Sequence, residues 1–291
     1  MFRNSNFAVK LILFIALLVC CFIVFSGGFA LIATAVWKDV DLMENIHYLR
    51  FTQIVGTIGM FLIPALLFSY FVDNKFFTFS LSHRFPPKKM AAIVLLLSIF
   101  IIPLIAYIGV WNEKITLPES MTTLEQHLKV MEEQARLMLA KMTGDYSYSS
   151  LFINLFIMAL LPAIAEEFLF RGTLQPLINS KIKNHHLSIW ISAIVFSIIH
   201  FQFYGFFPRM LLGAYLGYLA VWGGSLWLPI LAHFLHNCLS VVMDFSLMRS
   251  GIDTEMMPEE FTATLLPMAI LSLIVVSFGT FLLWKRRVDL S

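Results

Sequence analysis

The stretch Ser150–Gly172, SLFINLFIMALLPAIAEEFLFRG, decides how the chain is read. From Ser150 to Phe170 it is long enough to cross a bilayer, which takes about 20 mostly apolar residues. Yet it ends in two adjacent glutamates, Glu166 and Glu167, followed by Arg171. A charged side chain at the bilayer centre costs roughly 2.5–3.5 kcal/mol on insertion scales. Such groups face a bundle interior and mark a functional site.

The rest of the chain agrees with a membrane setting. Of 291 residues, 59% are hydrophobic and 13% charged, and mean hydropathy is +0.83. Soluble domains carry about 45–50% apolar and about 25% charged residues. The net charge of +2 gives no electrostatic case for a nucleic-acid partner. Cys20, Cys21 and Cys238 all lie in apolar runs and read as small hydrophobes, not as a disulfide framework. The first apolar run is too long for a signal-peptide core of about 7–15 residues and reads as a retained helix.

Eight candidate spans follow: Leu11–Trp37, Phe51–Val72, Met90–Trp111, Ser150–Phe170, Leu187–Phe201, Phe207–Trp222, Leu226–Phe245 and Thr264–Trp284. The fifth and sixth are short. The fold expected is an all-α transmembrane bundle of about eight helices. It divides into N-terminal membrane helices with an extramembrane segment (1–149), a chemistry-bearing part (150–245), and a loop with a last helix (246–291). One set of connections is basic: Arg3, Lys10, Lys75, Arg84, Lys88, Lys89, Lys181, Lys183, Lys285, Arg286 and Arg287, with only Asp73 and Asp289 as acids. The opposite set is acidic: Asp39, Asp41 and Glu44, the 112–149 segment, and Asp244 through Glu260. The positive-inside rule then puts both termini in the cytoplasm.

The segment Thr122–Met142, TTLEQHLKVMEEQARLMLAKM, is extramembrane and amphipathic. Thr122 and Glu125 have capping-box spacing. Leu124, Leu128, Met131, Ala135, Met138 and Met142 recur at helical spacing. It reads as a helix packed on the bundle or lying at the interface, with a substrate-handling lid as the sharper alternative. Gly213–Gly217, GAYLG, has the small-xxx-small spacing that lets helices approach closely.

Polar residues singled out within the later spans are Glu166, Glu167, Arg171, His200, Gln202, His233, His236 and Asn237. Glu167 and Arg171 are four apart, share a face and can pair. His233 and Asn237 share a face likewise, while Glu166 is turned about 100° from Glu167. If the fourth helix runs on to about Ser180 and turns near Lys183, Glu166 and His200 each lie 17 residues from the turn, at one height. Pro162 is a candidate kink. A carboxylate beside a histidine can hold and deprotonate a water, and a second histidine with an asparagine can donate to an oxyanion. The same donors, Glu166, Glu167, His200 and His233, can ligate zinc, although no HExxH is present. His236 reads as structural, and Gln202 with the aromatic run around it as an interfacial connection.

On these residues the chain resembles the CPBP intramembrane proteases, which include the CAAX prenyl endopeptidases and bacteriocin-immunity proteins. The motifs are EExxxR (Glu166, Glu167, Arg171), FxxxH (Phe196, His200) and HxxxN (His233, Asn237), in order. The resemblance covers about 150–245 and implies an eight-helix bundle with its site inside the membrane. It implies Glu166 as general base, His200 sharing the water, His233 and Asn237 as oxyanion donors, and Glu167 and Arg171 as orienting groups. It leaves open whether the cofactor is a divalent metal such as zinc or none. It implies a peptide or protein substrate, lipidated or membrane-embedded, in a bacterial plasma membrane. Two other readings use the same groups: a proton-coupled carrier with a Glu/His relay, and a non-catalytic immunity or partner-binding protein.

Overall fold

The computed structural model describes residues 2–36, 42, 44–73, 84–250 and 259–287. Several expectations lie outside these residues: the end of the first span at Trp37, and the charges Asp39, Asp41, Lys75 and Asp289. The described residues are all-helical, with no strand. The helices are α1 (Phe7–Ala33), α2 (Ile46–Asp73), α3 (Lys88–Phe100), α4 (Ile102–Glu113), α5 (Thr122–Thr143), α6 (Tyr148–Ile182), α7 (His185–Ile198), α8 (Phe206–Gly223), α9 (Trp227–Arg249) and α10 (Glu259–Lys285).

The count of eight spans is not confirmed. Among the described residues five helices are long and apolar enough to cross, six if α3 and α4, bent by 43°, count as one. The bend falls where Pro103 opens α4, since proline cannot donate to the preceding turn. α7 has 14 residues and α8 has 18. At about 1.5 Å per residue these reach roughly 21 and 27 Å, short of a hydrocarbon core of about 30 Å.

α6 runs 35 residues, past Phe170 to Ile182, as the hairpin reading required. It turns at Lys183, whose backbone is left-handed (φ 54°), and Asn184 caps α7 by accepting from the Leu187 N–H. Pro162 does not act alone. Wide turns over Ile58–Leu62, Leu155–Leu160 and Phe170–Leu174 each sit just before a proline: Pro64, Pro162 and Pro176. A proline ring collides with the carbonyl four residues back, and the helix opens upstream to relieve it.

Two apolar clusters flank the helices that carry the polar groups. Phe14 of α1, Phe68 of α2, and Phe168 and Phe170 of α6 form one, together with Ile230 of α9. Val94 and Leu97 of α3, Leu216 and Leu219 of α8, Val276 of α10, and Leu228 and Ala232 of α9 form the other. The first turns of α9 lie between the two, and Leu228, Pro229, Ile230, Ala232 and His233 are buried there.

α5 packs against α2 and the turn after α7. Leu128, Ala135, Met138 and Met142 face inward as expected, but Leu124 and Met131 are exposed. Glu125 and Glu132 turn inward in their place, because both find polar partners there. The capping box does not form either. A tight turn, Glu119–Met121, leads straight into the helix, so Thr122 Oγ1 donates back to Glu119 O (2.6 Å). Glu125 Oε2 accepts from the Leu117 N–H (3.3 Å) and Oε1 pairs with Lys129 (2.8 Å).

Candidate active site

The three motifs meet inside the bundle. Glu167 is 0% exposed, Arg171 3% and His233 4%. Glu167 Oε1 accepts from Arg171 Nη1 at 2.6 Å and from His233 Nδ1 at 2.8 Å. One carboxylate oxygen therefore ties α6 to α9. Burying a charge is tolerated only when it is paired and hydrogen-bonded, and this geometry supplies both.

Arg171 is fixed further. Its Nη2 donates to the Gly213 carbonyl (2.8 Å), and its guanidinium lies 4.8 Å from the Phe196 ring centroid. The glycines make the first bond reachable. A Cβ on Gly213 would sit 3.1 Å from Phe196 Cδ1, and one on Gly217 would sit 2.8 Å from both Gln175 Oε1 and Ile189 Cγ2. GAYLG thus allows the close packing expected of it. It also brings two backbone carbonyls against α6, since Gln175 Nε2 donates to Gly217 O (3.2 Å).

Glu166 is the contrasting carboxylate. Its side chain is 12% exposed, and its Oε2 lies 3.9 Å from His233 Nε2. That distance is too long for a direct hydrogen bond. His200 ends α7. Its Nδ1 donates to the Phe196 carbonyl (2.7 Å), which in the neutral imidazole leaves Nε2 as an acceptor. Phe196 stands between the two imidazoles, with ring centroids 5.0 Å from His200 and 6.1 Å from His233. Directly after His200 the chain turns at Phe201 with φ 53°. A bulky residue in that left-handed region costs about 1–2 kcal/mol. Asn112 of α4 secures the turn that follows, donating to Phe203 O (3.1 Å) and accepting from the Phe207 N–H (2.9 Å).

Asn237 is half-buried, one turn beyond His233, and has no side-chain hydrogen bond among the described residues. His236 stays apart: its Nδ1 is buried without a partner. Gln202 is not a passive connection. It accepts from Arg209 Nη2 at 2.6 Å and donates to Glu132 Oε1 at 3.2 Å. Arg209 and Gln175 are polar residues of the bundle that the sequence reading passed over. The signal was present for Arg209, a lone cation in the apolar run FFPRMLLG.

Of the four candidate metal donors, Glu167 is already engaged by Arg171 and His233. Among the described residues no group of three or more His, Cys, Asp or Glu side chains is placed to hold a metal ion. The donor set as arranged does not fit a three-ligand site, and no step below is routed through one.

The fold and the site define a polytopic helical membrane protein with a buried carboxylate–imidazole centre. Residues 148–239 match the family model described as Type II CAAX prenyl endopeptidase Rce1-like. Over that segment the chain is similar to this family. It is also 31% identical over 86 residues to the uncharacterized protein YpbD of Bacillus subtilis (strain 168), covering 28% of this chain and 41% of that protein. The match thus spans less than half the length of that relative. No solved structure matches the chain.

Proposed function

We propose that the protein is an intramembrane endopeptidase in which Glu166 activates a water against a peptide carbonyl. One observation carries this reading. Glu167 is committed to Arg171 and His233, while the adjacent Glu166 is partly accessible and free of contact with any cation of Arg or Lys type among the described residues. The two carboxylates divide into a holder and a free base.

In this scheme Glu166 takes a proton from water as the oxygen attacks the carbonyl carbon, while His200 Nε2 accepts a hydrogen bond from the O–H that the oxygen keeps. The carbonyl oxygen becomes an oxyanion. The Asn237 amide donates to it, and so does His233 Nε2–H when the ring carries both protons. Glu166 then passes its proton to the leaving amine, the C–N bond breaks, and a carboxylic acid and an amine result, the acid's proton passing to the amine to give carboxylate and ammonium. Glu167 and Arg171 hold His233 in register. The substrate class is a peptide or protein, and a lipidated or membrane-embedded one fits a site enclosed by apolar helices. The basic residues at one set of helix ends support a plasma-membrane setting with both termini in the cytoplasm.

The test compares wild type with Glu166→Gln on fluorogenic peptides, with and without a farnesylated cysteine, in liposomes and with and without chelator. Cleavage by wild type and none by Glu166→Gln, insensitive to chelator, is the expected result. Full activity in Glu166→Gln would overturn the role of the base. Activity that chelator abolishes and zinc restores would overturn the metal-free route. Proton-coupled uptake without proteolysis would replace the endopeptidase reading by the carrier.

A further inference from the structure

Glu166 and Glu167 are adjacent carboxylates, and Arg171 serves Glu167 at 2.6 Å. Glu166 lacks such a partner. A second guanidinium is held on another helix beside the turn that follows His200. Arg209, near the start of α8, is anchored there through Gln202. It forms no ion pair with any carboxylate among the described residues. Both of its hydrogen bonds go to one neutral residue, Gln202: Nη2 to Oε1 at 2.6 Å and Nη1 to the backbone oxygen at 3.4 Å.

Its position is built, not incidental. A Cβ on Gly205 would sit 2.3 Å from Arg209 Nη2 and 2.8 Å from Cζ, so the guanidinium occupies the space that a side chain at 205 would take. Gln202 in turn donates to Glu132 Oε1 of α5 (3.2 Å). Glu132 is one of the two glutamates that turn inward where apolar residues were expected. Its second oxygen is buried without a partner.

We propose that Arg209 is a positioning residue for the reaction at Glu166. It is the site's second counter-cation, clasped by Gln202 and, through Gln202, by Glu132 of the amphipathic helix. This rests on the endopeptidase reading above. Its positive charge offsets the repulsion between the paired glutamates and the negative charge that develops on the attacked carbonyl. The amphipathic helix thereby bears on turnover through one guanidinium.

The experiment uses the full chain in nanodiscs and a fluorogenic peptide cleaved by wild type but not by Glu166→Gln. Arg209→Met is expected to lower kcat by roughly 10- to 100-fold, the range for misplaced or unsupported catalytic groups, with KM little changed. Arg209→Lys keeps the charge and recovers part of the loss. Gly205→Ala displaces the guanidinium, lowers kcat in the same way, and adds nothing in the Arg209→Met background. Full kcat in Arg209→Met, or a rise in KM alone, would overturn the proposal. Hydrogen–deuterium exchange in the same preparation reads the clasp without activity. Exchange over residues 122–143 is expected to quicken in Arg209→Met and Glu132→Ala but not in Arg209→Lys, and unchanged exchange in all three would also overturn it. A wild type that cleaves no peptide sinks the endopeptidase reading, and the exchange result then decides the clasp by itself.

Discussion

Replacing Arg171 by Met strands a carboxylate inside the bundle. Glu167, 0% exposed, keeps only His233 as donor, at 2.8 Å. The Gly213 carbonyl also loses its side-chain donor, and Phe196 its cation. Removing one partner of a buried ion pair costs about 3–5 kcal/mol. Glu167→Met strands the guanidinium instead, and the same range applies. The double variant, Arg171→Met with Glu167→Met, leaves no charge behind. Apolar replacement of a whole buried pair is often neutral, so what remains is the lost partner of His233, about 1–3 kcal/mol. The singles and the double then imply a coupling of at least about 3 kcal/mol. Tryptophan fluorescence of the detergent-solubilised protein, followed through thermal and denaturant unfolding, measures it. At about 2–4 °C per kcal/mol, each single variant melts at least ~6 °C below wild type. Singles that add to within about 0.5 kcal/mol, the value for independent sites, would refute Glu167 and Arg171 as a coupled holder. Single losses under ~1 kcal/mol would refute their burial as a charged pair.

Further outcomes follow from the same geometry. Glu166→Gln is expected to melt within about 1 kcal/mol of wild type, because His233 Nε2 stands 3.9 Å from its carboxylate, beyond hydrogen-bond length; a large loss would show it to be the structural member. Gly217→Ala places a Cβ 2.8 Å from Gln175 Oε1 and Ile189 Cγ2. It should cost about 1–3 kcal/mol by overpacking, and an unchanged melting curve would show that α8 can draw back freely. Burial pushes the Glu132 carboxyl above its usual range, more than Arg209 and the Tyr204 N–H pull it down. The folded chain therefore holds this proton more tightly than the unfolded one. Stability relative to Glu132→Gln should fall as pH rises from the ordinary carboxylate range through the raised folded value. Melting curves taken across mildly acidic to neutral pH, with the two proteins remaining parallel, would contradict this.

Much of this protein was legible in its sequence because a bilayer simplifies the reading. Apolar residues over membrane length must become helices that satisfy their own backbone. Charges stranded in such helices must face one another. Glu167 with Arg171, the turn at Lys183 and the gathering of three motifs followed from spacing and the helical period. The span count did not, because length and apolarity leave α7 and α8 marginal. The faces of α5 did not either. Periodicity assigns Leu124 and Met131 inward, and only the packed partner, Gln202, explains why Glu132 takes that side. The pairing of His233 with Glu167, and not with Asn237 alone, is a contact between helices 66 residues apart in the chain. Likewise the bond from Gln202 to Glu132 joins residues 70 apart. Spacing fixes which side chains share a helix face. Only the packing of one helix on another decides which faces meet, and here Gly213 and Gly217 set how closely they do.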